Sequence, residues 1–387
     1  MDPIAAPLPA DIAIIGAGPL GLAAALALHR HGHQVEIFDA RPHAASEQDN
    51  RTLALSHGSR ELLELLGAWP AMQATPITHI LVTQQGGGGR TRIDAAEHKL
   101  PALGYVLAAR HLAALLRQRA EAAGIAIHND IRLNTAKAST DTISLQFESS
   151  QGDTFERPAR LLLRCEGFIP EQEATRQRDY DQHALICLAT PAAPHGGLAH
   201  ERFTARGPIA LLPYGTQYAV VWTVPAATAE PLMSAPDADW LAAINAALAG
   251  LATLTAISER AHHPLGLRMR RDITAPRCAW LGNAAQTLHP VAGQGFNLAL
   301  RDVWELADTL IAADDPGSPA LLARYAARRR PDREGAAGFT DMLVRSFSTD
   351  SSLMAHLRGA GLIALDAFPP LRHFVAKRMI YGARAWP

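Results

Sequence analysis

Three glycines near the start of the chain have the spacing of a dinucleotide-binding loop. Gly16, Gly18 and Gly21 follow an apolar run, residues 12–15, and precede an Ala/Leu-rich stretch that predicts a helix ended by Gly32. In such a loop the first glycine allows a tight turn, the second lets the backbone approach a pyrophosphate, and the third lets the helix pack on the strand. The helix N-terminus offers free N–H groups to the phosphates. The pattern therefore predicts a bound dinucleotide.

Asp39 stands at the end of the next predicted strand, QVEIF, where a carboxylate accepts hydrogen bonds from ribose hydroxyls. The same charge would repel a 2′-phosphate, so the pattern favours FAD or NAD over NADP. Residues 359–364 match the glycine pattern loosely, but they follow a stretch that reads as helix rather than strand, and we reject them. Without a second credible unit, a nicotinamide would have no domain of its own.

A second glycine-rich stretch, LGNAAQTLHPVAGQGFNLALRDV, occupies residues 281–303. It begins at the end of a short predicted strand and leads into a predicted helix whose first turn carries Gly293, Gly295 and Asn297. Because the first loop already holds the pyrophosphate, this helix N-terminus suits a different partial anion. We assign to it the N1–C2=O edge of a reduced flavin, stabilised by N–H donors and the helix dipole.

Other polar residues lie where they could contact the same cofactor. Asn283, at the strand end, could reach the ribityl chain or the phosphates, and His289 and Pro290 would sit beside the ring. Arg51, soon after Asp39, could contact phosphate or flavin; the alternative is a solvated surface arginine.

The middle of the chain predicts a second, β-rich unit. Short strands from about residue 180 to 224, followed by a predicted helix over 237–251, indicate an antiparallel sheet that forms one wall of a cavity. Few charges occur around IALLPY and YAVVWTV, which favours an apolar substrate over a carboxylate. This region interrupts the nucleotide domain, which resumes near Cys278.

Composition excludes several other classes of function. The chain has 387 residues with Lys+Arg 36 against Asp+Glu 37, so it lacks the basic surplus of a nucleic-acid-binding protein. Its three cysteines lie far apart without a CxxC, and its histidines lack zinc-site spacing, so we expect neither a disulfide framework nor a bound metal. We also expect a cytoplasmic protein, because the N-terminal stretch lacks the basic segment of a signal peptide. The longest apolar run, residues 12–28, is broken by glycine and proline, which is unusual for a membrane span.

Taken together, these motifs resemble the single-component FAD-dependent aromatic hydroxylases related to 4-hydroxybenzoate hydroxylase. More narrowly they resemble the ubiquinone-biosynthesis hydroxylases, and among those the 2-octaprenyl-6-methoxyphenol hydroxylases, in which Asn commonly replaces the Asp of the GD motif, as at Asn283. The likeness covers nearly the whole chain. It includes NRTLALS from Asn50, ERFTARGPIALLPY at 201–214 and YAARRRPDREGAAGFTDMLVRSF at 325–347.

The resemblance implies an α/β fold of mixed α+β type with three parts. A Rossmann-like FAD-binding domain of the 4-hydroxybenzoate hydroxylase type would comprise residues 1–75, 100–175 and 270–335. An interleaved antiparallel-sheet substrate domain would comprise residues 76–99 and 176–269, and C-terminal helices residues 336–387.

The resemblance also implies a chemistry in which NAD(P)H reduces FAD and O2 adds to give a flavin C4a-hydroperoxide, which hydroxylates an electron-rich phenol. Pro290 would lie near the reacting flavin carbon. His289 would carry protons for the phenol or, alternatively, be a fixed loop residue. The implied FAD-binding residues are Gly16, Gly18, Gly21, Asp39, Arg51, Arg110, Glu166, Gly167, Gly282, Asn283, Gly293, Gln294, Gly295 and Asn297.

The sequence departs from the family at CEGFIP, residues 165–170. The family usually has a DG motif followed by Ser at this point, thought to touch both the pyrophosphate region and the incoming nicotinamide, whereas this chain has Glu166-Gly167 and no such Ser. Reduction by nicotinamide could be slower here, or the change could be neutral.

Three functions therefore stand side by side: hydroxylation of a hydrophobic prenylated phenol, hydroxylation of a soluble aromatic acid, and a non-catalytic flavin- or prenyl-binding subunit. The C-terminal stretch, residues 362–387, mixes large apolar with basic residues. It could dock on the inner membrane surface or on an enzyme complex of ubiquinone biosynthesis, or simply pack on its own domain.

Overall fold

The computed structural model describes residues 10–44, 48–86, 88–289, 293–347 and 352–382. Its strands are β1 Ala10–Ile15, β2 Val35–Phe38, β3 Thr52–Ser56, β4 Thr75–Ile77, β5 His79–Gln84, β6 Arg90–Asp94, β7 Gly104–Ala108, β8 Ala126–His128, β9 Ile131–Ala138, β10 Ile143–Ser149, β11 Thr154–Arg164, β12 Arg176–Pro191, β13 Leu198–Thr204, β14 Gly207–Tyr214, β15 Gln217–Pro225, β16 Leu254–Ile257, β17 Ala261–Met269, β18 Thr274–Ala275, β19 Cys278–Trp280 and β20 Gln286–Thr287. Its helices are α1 Pro19–His29, α2 His57–Leu65, α3 Ala109–Ala122, α4 Ala226–Ser234, α5 Asp237–Leu248, α6 Gly295–Thr309, α7 Pro319–Phe347, α8 Ser352–Ala367 and α9 Pro369–Tyr381.

The first sheet has a parallel centre with the order β19-β11-β1-β2-β8. Strand β1 is apolar apart from Asp11, and its last four residues are buried, because helices and neighbouring strands surround it, as is usual for a parallel strand. The antiparallel hairpin β9–β10 extends the sheet through β11. The predicted strand–loop–helix–strand order is confirmed, and so is the return of the chain at Cys278, because β19 pairs with β11.

The second sheet has the order β20-β17-β12-β15-β14-β13-β5-β6, with β16 on β12. The antiparallel sheet predicted for residues 180–224 is confirmed, with one addition: β5 joins β13 in parallel, so the β5–β6 hairpin extends the sheet. Helices α4 and α5 cover one face, where Trp240 of α5 meets Trp222 edge to face. The opposite face is only half-buried along its central strands.

One segment joins the two sheets. The chain leaves the first sheet at β19, turns at Gly282–Ala284, and pairs with β17 of the second sheet through β20. A third, three-stranded sheet, β3-β7-β4, lies beside helix α2.

The C-terminal helices pack on the rest of the chain. Helix α7 contacts α6 and runs through residue 335, where the sequence analysis divided the FAD-binding domain from the C-terminal helices. Helix α8 packs on β6, and α9 on α2. Residues 359–364 lie within α8, so their rejection as a glycine loop is confirmed. In the described part of the chain, no helix combines the length and apolar character that crossing a membrane requires.

Buried ion pairs hold α6 against α7. Asp302 accepts a hydrogen bond from Arg329 Nε at 2.6 Å, and Arg329 Nη1 also donates to Asp332 at 3.1 Å. Arg301 Nε donates to the same Asp332 at 2.7 Å. All four side chains are buried. Buried charges of this kind depend on one another, because removal of one leaves the others without compensation in a region of low dielectric.

We expect the substitution Arg329→Met to lower the free energy of unfolding by about 3–5 kcal/mol, because Asp302 would lose its buried guanidinium partner. Urea unfolding of the FAD-loaded protein, followed by circular dichroism, measures this. The matched control is Arg330→Met, since the adjacent Arg330 is exposed and pairs only with Glu334 among the described contacts. There we expect a change within about 0.5 kcal/mol. Equal losses in the two variants would contradict the role of the buried cluster.

Candidate active site

The first glycine loop is shaped for a ligand at the end of β1. Gly16 has φ +107°, and a Cβ there would lie 2.8 Å from the Cys165 carbonyl oxygen. A Cβ on Gly21 would lie 1.9 Å from the Gly16 oxygen. Beside Gly18, by contrast, the nearest atom is Arg41 Nη2 at 3.9 Å. The first and third glycines are thus required by backbone packing, whereas the second leaves a bare surface that a pyrophosphate can approach.

The N-terminus of α1 faces this surface. The helix begins at Pro19, and its N-cap, Gly18, makes no side-chain capping bond. The N–H groups of the first turn therefore keep their capacity to donate to an anion.

Asp39 is buried and its carboxylate is fixed by the loop. Oδ2 accepts a hydrogen bond from Ala17 N at 2.7 Å, and Oδ1 accepts one from Arg41 N at 2.8 Å. Burial opposes ionisation, but the hydrogen bonds from Arg41 and Ala17 outweigh it and lower the pKa of Asp39. The guanidinium of Arg41, which is largely exposed, also covers the carboxylate, so a ribose hydroxyl binding Asp39 would take its place.

Arg41 was not among the predicted site residues, although an arginine two residues after the ribose acid was a usable signal. Two predicted arginines lie in the same region. Arg51 is paired with Asp49 at 2.6 Å, and Arg110 is hydrogen-bonded to Asn50. The charges of Arg51 and Asp49 act on Arg41 beside Asp39, so this ion pair lies near the carboxylate.

The second glycine loop lies against the first. A Cβ on Gly282 would lie 2.3 Å from Leu20 Cδ2 of α1 and 3.0 Å from the Cβ of Ala299 in α6. Gly282 N donates to Asp302 Oδ2 at 3.0 Å. Through Gly282 the N-terminal end of α1, at Leu20, thus packs close to the second turn of α6, at Ala299. Asn283, next to Gly282, is exposed.

Asn297 uses its whole side chain to hold this loop. Oδ1 accepts from Ser56 N at 2.8 Å and from Ser59 Oγ at 2.7 Å. Nδ2 donates to Ala54 O at 3.0 Å and to Gly293 O at 2.8 Å. A contact from Asn297 to a cofactor would therefore come from its backbone, while its amide ties the loop to β3 and α2.

Among the described residues of this loop, Gln294 and Gly295 do not cover the start of helix α6. Gln294 is the N-cap of α6 and makes no side-chain capping bond to the helix. Gly295 has no atom within 4 Å of the position where a Cβ would stand. The first turn of α6 is therefore accessible to a ligand group that accepts hydrogen bonds.

His289 is buried, with 1% of its surface exposed, and its ring meets Tyr180 edge to face at 5.5 Å. Burial lowers the pKa of His289 to about 4, so the ring is neutral at pH 7. This environment agrees with the fixed-loop alternative, and proton transfer by His289 stays a prediction. Pro290 lies outside the described residues.

Comparison with known proteins agrees with this geometry. A sequence profile of the FAD binding domain family matches residues 9–340. The chain is 32% identical to ubiquinone hydroxylase UbiL of Rhodospirillum rubrum, over 98% of this chain and 91% of that one. It is 31% identical to 3-demethoxyubiquinol 3-hydroxylase of Escherichia coli, over 92% and 95%. The chain belongs to this family of FAD-dependent hydroxylases.

A solved structure supports the fold independently. The structure of p-nitrophenol 4-monooxygenase PnpA from Pseudomonas putida superposes with a TM-score of 0.76, covering 96% of this hydroxylase and 97% of that chain at 13% identity. The expected mixed α/β fold of the 4-hydroxybenzoate hydroxylase type is therefore confirmed.

The residues present fit FAD, the cofactor of the family. The bare face of Gly18, the uncapped N-terminus of α1 and the fixed carboxylate of Asp39 suit the nucleotide half, and the open first turn of α6 suits the ring. The assignment of single residues to FAD stays a prediction.

The hydroxylase departs from its family at Glu166, and the structure shows what holds this side chain. Glu166 Oε1 accepts a hydrogen bond from Arg164 at 2.6 Å, at the end of β11 next to Gly16. Burial nevertheless raises the pKa of Glu166. Gly167 is exposed with open space around it. Glu166 and Gly167 thus lie at the edge of the first loop, where the sequence analysis expected them.

We expect Asp39→Ala to weaken FAD binding at least about tenfold, because hydrogen bonds to a charged group contribute about 1.5–3 kcal/mol. Quenching of FAD fluorescence on titration with apoprotein measures the dissociation constant. The control is Asp11→Ala. Asp11 lies on β1, and its carboxylate accepts a comparable hydrogen bond from the backbone N–H of Gln34. FAD affinity equal in the two variants would contradict the assignment of Asp39 to the ribose.

Proposed function

We propose that this hydroxylase acts on the aromatic ring of a polyprenylated phenol of the 2-polyprenyl-6-methoxyphenol class in ubiquinone biosynthesis, with NAD(P)H as reductant and O2 as the oxygen source. The names of its relatives support the pathway, and the chemistry of one surface supports the substrate class. A complex with other enzymes of that pathway stays a prediction.

That surface, here called the substrate wall, is the half-buried face of the second sheet. Strand register places its side chains on one face, opposite the face covered by α4 and α5. Its apolar members are Ile80, Val82, Ile186, Leu188, Ala210, Leu212 and Val221. The paired rows that contain these residues hold no arginine or lysine that could bind a substrate carboxylate, so they favour a neutral, hydrophobic ring and chain. This apolar wall is the observation on which the proposal depends.

The wall continues toward the second glycine loop. Val82 packs in one cluster with Phe203 and Tyr180, and the Tyr180 ring meets His289, close in sequence to Gly293. A ring bound on the wall would therefore lie near the end of α6.

Each part of the site has a task in this proposal. The N-terminus of α1 binds the pyrophosphate, and the first turn of α6 binds the pyrimidine edge of the flavin. The apolar wall orients the phenol and excludes water from it. FAD, when bound, supplies the activation of O2.

A direct test is to follow NADH and NADPH oxidation by the FAD-loaded protein with a short-chain prenylated 2-methoxyphenol, and to find the product by mass spectrometry. We expect oxidation to be stimulated by the phenol and the product to gain one oxygen atom. 4-Hydroxybenzoate, tested in parallel, should give no such product. Hydroxylation of 4-hydroxybenzoate alone would favour the soluble-acid alternative. A yellow protein that never oxidises nicotinamide would favour the non-catalytic subunit.

We further propose that the C-terminal helices contact a membrane surface, which would bring the enzyme to a prenylated substrate. Helices α8 and α9 and the residue between them expose large apolar side chains close to the basic residues Lys377 and Arg378. These apolar side chains are Leu357, Ile363, Phe368, Leu371 and Phe374. Apolar groups beside positive charge are typical of peripheral binding to anionic lipid.

We expect the protein to sediment with vesicles that contain anionic phospholipid, and the double variant Phe368→Glu/Leu371→Glu to sediment at least about tenfold less, because each charge opposes insertion. The matched control is Leu65→Glu, since Leu65 is equally exposed but lies on α2. Wild-type protein that stays in the supernatant, or a double variant that binds as well as the control, would contradict membrane docking.

A further inference from the structure

Glu201 is the one acidic residue in the rows of paired side chains that cross β5, β13, β14, β15 and β12 on the substrate wall. The proposed function gives it no task. It lies in the middle of β13, where it pairs with Val82 of β5 on one side and Ala210 of β14 on the other. The same row continues through Val221 to Ile186. Residues in register share a face of the sheet, so the Glu201 side chain stands among apolar neighbours on the substrate side.

The opposite face confirms this orientation. The next residue, Arg202, pairs with Ile209, and its guanidinium donates to Ala247 O of helix α5 at 2.8 Å. Because successive side chains alternate, Glu201 points away from α5 and toward the wall.

Glu201 lies between two apolar clusters. On one side are Phe203, Val82 and Val344, and on the other are Ala199 and Leu212. Its side chain is partly exposed, whereas Ala199 and Phe203, two positions away on the same face of β13, are buried. Across the described ranges, its carboxyl makes no hydrogen bond or ion pair.

A carboxyl group without a partner in an apolar surface is costly, and proteins rarely keep one without a use. Burial raises the pKa of Glu201 to about 8, and no neighbouring charge contributes to the shift. The titratable groups closest along the wall are already engaged: Tyr180 and Arg178 both bind Asp341, and His289 is neutral at pH 7. A polar group of a bound ligand would give the Glu201 carboxyl the partner that the described residues do not supply.

We infer that Glu201 binds the ring hydroxyl of the phenolic substrate and thereby selects rings with a free hydroxyl over their ethers. The inference rests on the proposed function and adds a specificity-determining residue to it. A carboxyl oxygen accepts the phenol O–H in either protonation state of Glu201, whereas an O-methyl ether offers no donor. Polar groups in an apolar site discriminate in this way, because a ligand without the matching donor leaves them unpaired.

The test compares the affinities of two ligands for the oxidised FAD-loaded protein: a short-chain prenylated 2-methoxyphenol and its O-methyl ether. Both dissociation constants come from the change in flavin absorbance. We expect wild-type protein to prefer the phenol at least about tenfold. Glu201→Leu should abolish the preference by weakening phenol binding alone. Glu201→Gln should keep the preference within about threefold, because its amide oxygen also accepts a hydrogen bond.

The matched control is Glu230→Gln, since Glu230 is an exposed glutamate on α4, which packs on the opposite side of the same sheet. It should leave both dissociation constants unchanged. FAD content and melting temperature establish that each variant is folded, and Glu201→Leu should melt no lower than wild type, because it removes an unpaired polar group.

Two failures can be told apart. If the wild-type protein neither binds nor hydroxylates the prenylated phenol, the proposed function is wrong. If it does both, but Glu201→Leu keeps the preference or loses affinity for phenol and ether alike, only the role of Glu201 is wrong. Loss of the preference in Glu201→Gln as large as in Glu201→Leu would also overturn it, since hydrogen-bond acceptance would then not be the property that matters.

Discussion

The close contact at Gly282 is the constraint on which the site depends. Leu20 of α1 and Ala299 of α6 leave no room there for a side chain, and the N–H of Gly282 is held by the buried Asp302. Two helices with separate positions in the chain are thereby packed against the same turn near their N-terminal ends. Both ends can then act on one elongated cofactor, the nucleotide half at one helix and the ring half at the other.

Asp302 connects the Gly282 turn to other parts of the protein through hydrogen bonds. Besides Gly282, its carboxylate accepts hydrogen bonds from Gln286 and from Arg329 of α7. Gln286 lies in β20, which pairs with β17 of the second sheet. The one buried carboxylate of Asp302 therefore connects the second glycine loop, helix α7 and the substrate-side sheet. Such a cluster stabilises only as a complete set, because each buried charge needs its partners. The relative position of the second glycine loop and the substrate-side sheet therefore depends on the buried charges around Asp302.

Much of the fold could be predicted from local sequence. The strand, glycine loop and helix around Gly16, the strand–turn–helix order from Cys278, and the antiparallel sheet were all found from apolar periodicity and glycine placement, because these patterns reflect the geometry of one element and its nearest neighbours. The parallel joining of β5 to β13 was not found, since the two strands are far apart in sequence and no short turn connects them.

Residue types and spacing by themselves predicted a dinucleotide-binding loop and a second glycine-rich loop before a helix, and the resemblance of the motifs to known hydroxylases indicated the family and its fold. The tertiary structure alone decided what several of those side chains do. The side chain of Asn297 holds the second glycine loop by hydrogen bonds. The guanidinium of Arg41, which was not predicted, covers the Asp39 carboxylate. Glu201, read as part of a strand, stands without a partner on the apolar wall. A strand pattern shows that a residue alternates between two faces, but which face meets the substrate is set by the helices that cover the other one.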